Sequence, residues 1–195
     1  VKVVKTSEYT RKAHEKVIHA IDISPNNDFL ATASHDKTAK IWDLASGETV
    51  GILRGHKRPV YDISFCGYDR LIATCSGDQT AKVWSLDDFS CQRTYEGHSG
   101  AVQRISFLDR NQFIIGAGAD GLIKIWSVSS GECVETLDNH NNRIWALCIK
   151  NDGQEFVSAD ADGTISLWED NTEEAKHEEE VSMKNKVEKE QELQN

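Results

Sequence analysis

Four of the five tryptophans, Trp42, Trp84, Trp126 and Trp168, stand 42 positions apart, and no other feature constrains the fold as tightly. His14, His56, His98 and His140 keep the same spacing, as do Asp36, Asp78, Asp120 and Asp162. A fixed period of this length means that one supersecondary unit is built four times and that neighbouring units bury each other's apolar faces. Within a unit the apolar pattern is strand-like: Val60 to Phe65, Leu71 to Ser76 and Thr80 to Trp84, then a fourth segment from Cys91 to Tyr95. Between the second and third strands sit His35-Asp36-Lys37, Gly77-Asp78-Gln79, Ala119-Asp120-Gly121 and Ala161-Asp162-Gly163, which suit tight hairpins.

Gly55-His56, Gly97-His98 and Trp42-Asp43 resemble the G-H and W-D dipeptides of WD40 repeats, with departures at Ala13-His14, Asn139-His140, Ser85, Ser127 and Glu169. The resemblance implies an all-β fold, a WD40 β-propeller of which four blades are present out of a ring of seven. The expected organisation is an outer strand of a preceding blade at 1–12, four repeats at 13–54, 55–96, 97–138 and 139–168, and an acidic segment at 169–195. Seven blades of 42 residues need about 294 residues. The remaining blades are therefore expected upstream in the same protein, an expectation that a chain starting at Val1 does not oppose.

The resemblance also implies a hydrogen-bonded tetrad in each blade: His14, Thr32, Asp36 and Trp42; His56, Thr74, Asp78 and Trp84; His140, Ser158, Asp162 and Trp168. The third set has only His98, Asp120 and Trp126, because Gly116 stands where a hydroxyl belongs. Hydroxyl, imidazole and carboxylate together invite comparison with a nucleophilic triad. A catalytic site, however, occurs once, whereas this set recurs in every repeat, and an indole N–H has an obvious use as donor to a buried hydroxyl. No catalytic residue is assigned. Five cysteines without a C-x-x-C pair indicate neither a disulfide framework nor a zinc site, and no phosphate-binding glycine loop or other cofactor motif is present, so no cofactor is expected.

Charge bears on partners. The chain carries 32 acidic and 22 basic residues, a net of -10, which disfavours a general grip on nucleic acid. Residues 169–195 hold ten acidic residues and four lysines; a solvated linker and the first helix of a further helical domain both remain open there. No apolar run approaches the roughly 20 residues of a membrane-spanning helix, and no membrane partner is expected. By resemblance the upper rim of the ring presents His19, His35, Tyr61, Gln103, Arg143 and Trp145 to partners, residue types that include interface favourites, with packing that lines the ring as the alternative. Lys57-Arg58 reads as a solvated basic turn, with a phosphate clamp on RNA as the alternative.

Leu71 to Leu86, Asp88 to Cys91, Thr94 to His98, Gly121 to Trp126 and Glu132 to Asp138 resemble the nucleolar transducin beta-like family of the small-subunit processome. That resemblance implies a nucleolar, non-enzymatic scaffold acting in pre-18S ribosomal RNA processing. Its expected partners are other WD40 proteins of the processome, with U3 small nucleolar RNA and pre-ribosomal RNA reached indirectly. An adaptor in cytoplasmic signalling or trafficking is the alternative.

Overall fold

The computed structural model describes residues 12–108, 112–150 and 155–169. These form four antiparallel sheets in chain order. The first contains β1 (Ile18–Ile23), β2 (Phe29–Ser34), β3 (Thr38–Asp43) and β4 (Thr49–Arg54). The second contains β5 (Val60–Phe65), β6 (Leu71–Ser76), β7 (Ala81–Ser85) and β8 (Cys91–Tyr95). The third contains β9 (Val102–Leu108), β10 (Phe113–Gly118), β11 (Ile123–Ser127) and β12 (Cys133–Leu137). The fourth is three-stranded among the described residues, with β13 (Ile144–Ile149), β14 (Glu155–Asp160) and β15 (Ile165–Glu169).

Each sheet is an up-and-down meander, so every sheet is one blade and the first strands β1, β5, β9 and β13 lie beside one another. Glu169, expected in the acidic segment, closes β15. The expectations for residues 1–11 and 170–195 lie outside the described residues.

A lone four-stranded meander cannot bury both faces, and the core is accordingly divided between blades. Ala31, Ala33, Ala39, Ile41 and Leu53 of the first blade pack on Val60, Ile63, Phe65, Ile72 and Trp84 of the second. The same small-against-large pairing recurs with Ala73, Ala81 and Val83 against Ile105, Phe107 and Trp126. It recurs again with Ala117, Ile123 and Ile125 against Ile144 and Phe156. A register shift accompanies the motif tryptophan in the first three blades, at Ile41/Trp42, Val83/Trp84 and Ile125/Trp126, where the extra residue re-aims the chain beside the ring.

The series is open at both ends. Ile21 is 68% exposed whereas its repeat equivalent Ile63 is 3% exposed, and Ile165 is 72% exposed whereas its equivalent Ala81 is fully buried. Ile23 and Leu167 are exposed likewise. The two end blades thus present the same faces that are covered between the inner ones.

Candidate functional site

In the first blade the Trp42 Nε1–H donates to Thr32 Oγ1 at 2.9 Å, Thr32 Oγ1 lies 2.7 Å from His14 Nε2, and His14 Nδ1 lies 2.8 Å from Asp36 Oδ2. The second blade repeats this with Trp84, Thr74, His56 and Asp78 at 2.8, 2.9 and 3.0 Å. For a neutral imidazole the proton inventory gives one direction. The hydroxyl accepts from the indole and gives its own proton to Nε2, so the neutral imidazole carries its proton on Nδ1 and donates it to the carboxylate. The aspartates also accept the backbone N–H of Glu15 and of Lys57, which ties the loop before each first strand to the hairpin between the second and third.

Burial alone would raise the Asp36 carboxyl, but hydrogen bonds from Thr38 and His14 outweigh it and hold the group at about 2. The same balance of burial against His56 and Thr80, and of burial against His98, holds Asp78 and Asp120 well below the usual carboxylate range. Thr32, Thr74 and Ser158 are buried under their indoles, so no substrate carbonyl can reach these hydroxyls. Chemically the networks brace blades.

The fourth blade corrects one expectation. His140 Nδ1 meets Asp160 Oδ2 at 2.8 Å, not Asp162, while His140 Nε2, Ser158 and Trp168 connect at 2.7 and 2.8 Å. Asp160 occupies the register of Ser34 and Ser76, whose hydroxyls accept the hairpin Asp N–H. Its longer side chain reaches the imidazole directly and also accepts from the backbone of Asp162 and Thr164. Asp162 is left outside and accepts from Asn142 Nδ2 at 2.9 Å. The acidic residue in a serine register was the sequence signal for this exchange.

In the third blade the Trp126 Nε1–H donates to the Glu96 carbonyl at 3.0 Å. His98 Nδ1 lies within 3.0 Å of both oxygens of Asp120, and His98 Nε2 is the one buried side-chain polar atom among the described residues without a partner. The indole has moved into the space a hydroxyl would need: a Cβ on Gly116 would stand 2.8 Å from Trp126 Cζ3.

The rim residues divide into three groups. His19 Nε2 and His35 Nδ1 lie 3.1 Å apart, and the Tyr61 ring meets His19 edge-on at 5.1 Å between centroids, so these three form one cluster over the first two blades. Arg143 lies over the exposed Trp145 ring at 5.0 Å on the fourth blade. Gln103, expected at the rim, is instead buried at 6% exposure. Among the described residues no three His, Cys, Asp or Glu side chains converge as a metal site.

Sequence reasoning missed two carboxylates that join blades. Asp22 Oδ2 accepts the Phe65 N–H at 2.7 Å, and Asp62 Oδ2 accepts the Ile105 N–H at 3.1 Å. Burial raises both, and Asp62 is pushed up to about 6. An aspartate inside an otherwise apolar strand was the only available hint.

Comparison with known proteins follows the same blades. The family model described as WD domain, G-beta repeat matches residues 5–43, 47–85, 89–127 and 131–169. Each match after the first opens on the outer strand of one sheet and closes on the third strand of the next, so the repeats interlock adjacent blades. The chain is 57% identical over 56 residues to U3 small nucleolar RNA-associated protein 13 of Saccharomyces cerevisiae, covering 29% of this chain and 7% of that protein. It is 41% identical over 54 residues to transducin beta-like protein 3 of Mus musculus, 28% of this chain and 7% of that protein. It is 49% identical over 43 residues to mitochondrial division protein 1 of Mycosarcoma maydis, 22% of this chain and 5% of that protein. The chain thus matches less than a tenth of the length of these relatives.

Proposed function

Because the chain belongs to the WD40 repeat family, we propose that it is part of a non-enzymatic scaffold subunit of the small-subunit processome, supporting pre-18S ribosomal RNA processing in the nucleolus through protein-protein contacts. The observation that carries this reading is the similarity to a protein associated with U3 small nucleolar RNA. Two physical features support it. The polar networks are closed on themselves and leave a rigid platform rather than a reaction centre. The net charge of -10 suits protein neighbours better than direct RNA grip, so U3 and pre-ribosomal RNA are reached through partners, other WD40 proteins among them.

Further blades of the same protein cover the open faces at Ile21 and Ile23 and at Ile165 and Leu167, since register-equivalent residues are buried wherever a neighbouring blade is present. The tetrads and the rim clusters serve as brace and contact surface respectively.

Affinity purification of the tagged full-length protein, with sequencing of bound RNA and identification of bound proteins, tests the assignment. Recovery of U3 RNA with propeller-rich processome subunits is the expected result. Recovery of mitochondrial or vesicle proteins without U3 would replace it by the cytoplasmic adaptor, the reading that similarity to a mitochondrial division protein favours.

A further inference from the structure

The charge of this chain is not spread evenly over its two rims. On the side of the strand turns that face away from the histidine loops, the described blades carry Asp28, Asp43, Glu48, Asp69, Asp87, Asp88, Glu132, Glu155 and Glu169 against Arg70, Arg93 and Lys150. On the opposite side, above the first two blades, Lys16, Lys37, Lys57 and Arg58 are exposed, and none forms an ion pair with a described residue. Five cations, Lys12 included, face three ionised carboxylates on this side, so the local balance stays positive. Asp36 and Asp78 turn inward to His14 and His56, and Glu15 is held by Lys12 at 2.5 Å. The corresponding loops of the third and fourth blades offer Ser99, Gly100, Ala101, Asn141 and Asn142, with Arg143 as their one exposed cation.

Two further details mark the same place. Lys37 and Gln79 hold a left-handed backbone, φ 74° and 72°, at the hairpin position where the other two blades have Gly121 and Gly163. A side chain costs about 1 kcal/mol or more in that conformation, and glycine would avoid it. Gln79 uses its side chain to reach the Ser99 carbonyl at 3.1 Å. The hairpin imposes this conformation in all four blades, and Lys37 fills it with an exposed ammonium side chain that makes no hydrogen bond to a described residue. The His19–His35 contact adds a donor. In the neutral pair one ring N–H bridges to the other ring, and whichever tautomers are present, one outward ring nitrogen carries a proton and the other does not.

We propose that this patch, formed by Lys16, Lys37, Lys57, Arg58 and the His19–His35 pair, docks a short acidic peptide segment of a partner protein. Three ammonium point charges, one guanidinium fork and one imidazole N–H match carboxylates on flexible side chains. The patch is limited to two blades and backed by an acidic opposite rim within a chain of net charge -10. A few carboxylates gain the local attraction, whereas a long polyanion would extend into the repulsive field. The inference uses only side chains of the first two blades and stands apart from the ribosome-assembly reading, which could fail without affecting it.

Fluorescence anisotropy of labelled hexaglutamate and labelled hexauridylate, titrated with the full-length protein at low salt, tests it. Hexaglutamate is expected to bind more tightly than hexauridylate. The double variant Lys57→Ala, Arg58→Ala is expected to weaken hexaglutamate about five- to tenfold, while Arg70→Ala on the opposite rim leaves it unchanged. Lys37→Gly provides a variant whose effect cannot be ascribed to unfolding: it relieves the strained backbone, so its melting temperature holds or rises while hexaglutamate binding weakens. No measurable hexaglutamate binding, binding unchanged by the Lys57 and Arg58 pair, or tighter binding of hexauridylate would each overturn the proposal.

Discussion

Asp160 Oδ2 accepts from His140 Nδ1 at 2.8 Å, performing in the fourth blade what Asp36, Asp78 and Asp120 perform in the others from a position two residues earlier in the chain. The exchange is possible because a carboxylate in the serine register is long enough to span the gap that a serine hydroxyl and a hairpin aspartate otherwise bridge together. Burial opposes ionisation of Asp160, but His140 and the Thr164 and Asp162 amides lower its carboxyl below the usual range.

Asp160→Asn is therefore expected to lower the melting temperature of the chain, whereas Asp162→Asn leaves it essentially unchanged. Asp162 holds only an exposed amide of Asn142, and thermal melts monitored by circular dichroism distinguish the two.

Trp84 is 1% exposed and fills the interface between the first two blades, while Thr74 contributes two hydrogen bonds. Trp84→Ala should cost about 3 to 5 kcal/mol through the cavity it leaves. Thr74→Val should cost about 1 to 3 kcal/mol through the orphaned indole and imidazole. Equal losses on denaturant titration would show that packing does not dominate.

The third blade offers an apparent repair that should fail. Gly116→Thr would restore the hydroxyl that His98 Nε2 lacks, but the new Cβ meets Trp126 Cζ3 at 2.8 Å. The expected result is a loss of about 1 to 3 kcal/mol from overpacking, measured by the same titration.

Acid acts in two opposite steps. Asp62 has its folded carboxyl raised by burial to about 6 from an ordinary 3.8, so the native state holds that proton more tightly. Its contribution to stability is complete below about 3.8 and is lost as pH rises through 6, roughly 2 to 3 kcal/mol over the interval. Asp36, lowered to about 2, contributes in the other sense, present above 3.8 and lost as pH falls toward 2. Asp62→Asn should abolish the gain seen between pH 6 and pH 4 while leaving the collapse below pH 4 intact, as read from unfolding free energies across that range.

Thiol chemistry tests the packing independently. Cys91, Cys133 and Cys148 are exposed, whereas Cys66 and Cys75 are buried, and desolvation raises the Cys75 thiol well above its ordinary range. Native titration with an aromatic disulfide reagent should release three equivalents quickly and the remaining two only on denaturation.

Much of this architecture was legible beforehand because it depends on spacing. A strand period of two within a repeat of 42 residues specifies which side chains meet, and Trp84, Thr74 and His56 meet in space at the register that the repeat assigns them. The site was less legible. Gln103 belongs to the rim by count yet is buried, because burial depends on the neighbouring strands and not on position in the repeat. His19, His35 and Tyr61 look equivalent to rim residues elsewhere, and only the adjacency of two blades brings them together.

By itself the sequence determined that the chain forms stacked β-sheet blades with polar braces, since repetition of an indole, an imidazole and a carboxylate in one register leaves no other economical burial. The tertiary structure decided which carboxylate closes the fourth brace, which imidazole nitrogen goes without a partner, and where unpaired lysines gather. Those outcomes turn on differences of an ångström or two between side chains from separate strands, distances that a linear spacing does not contain.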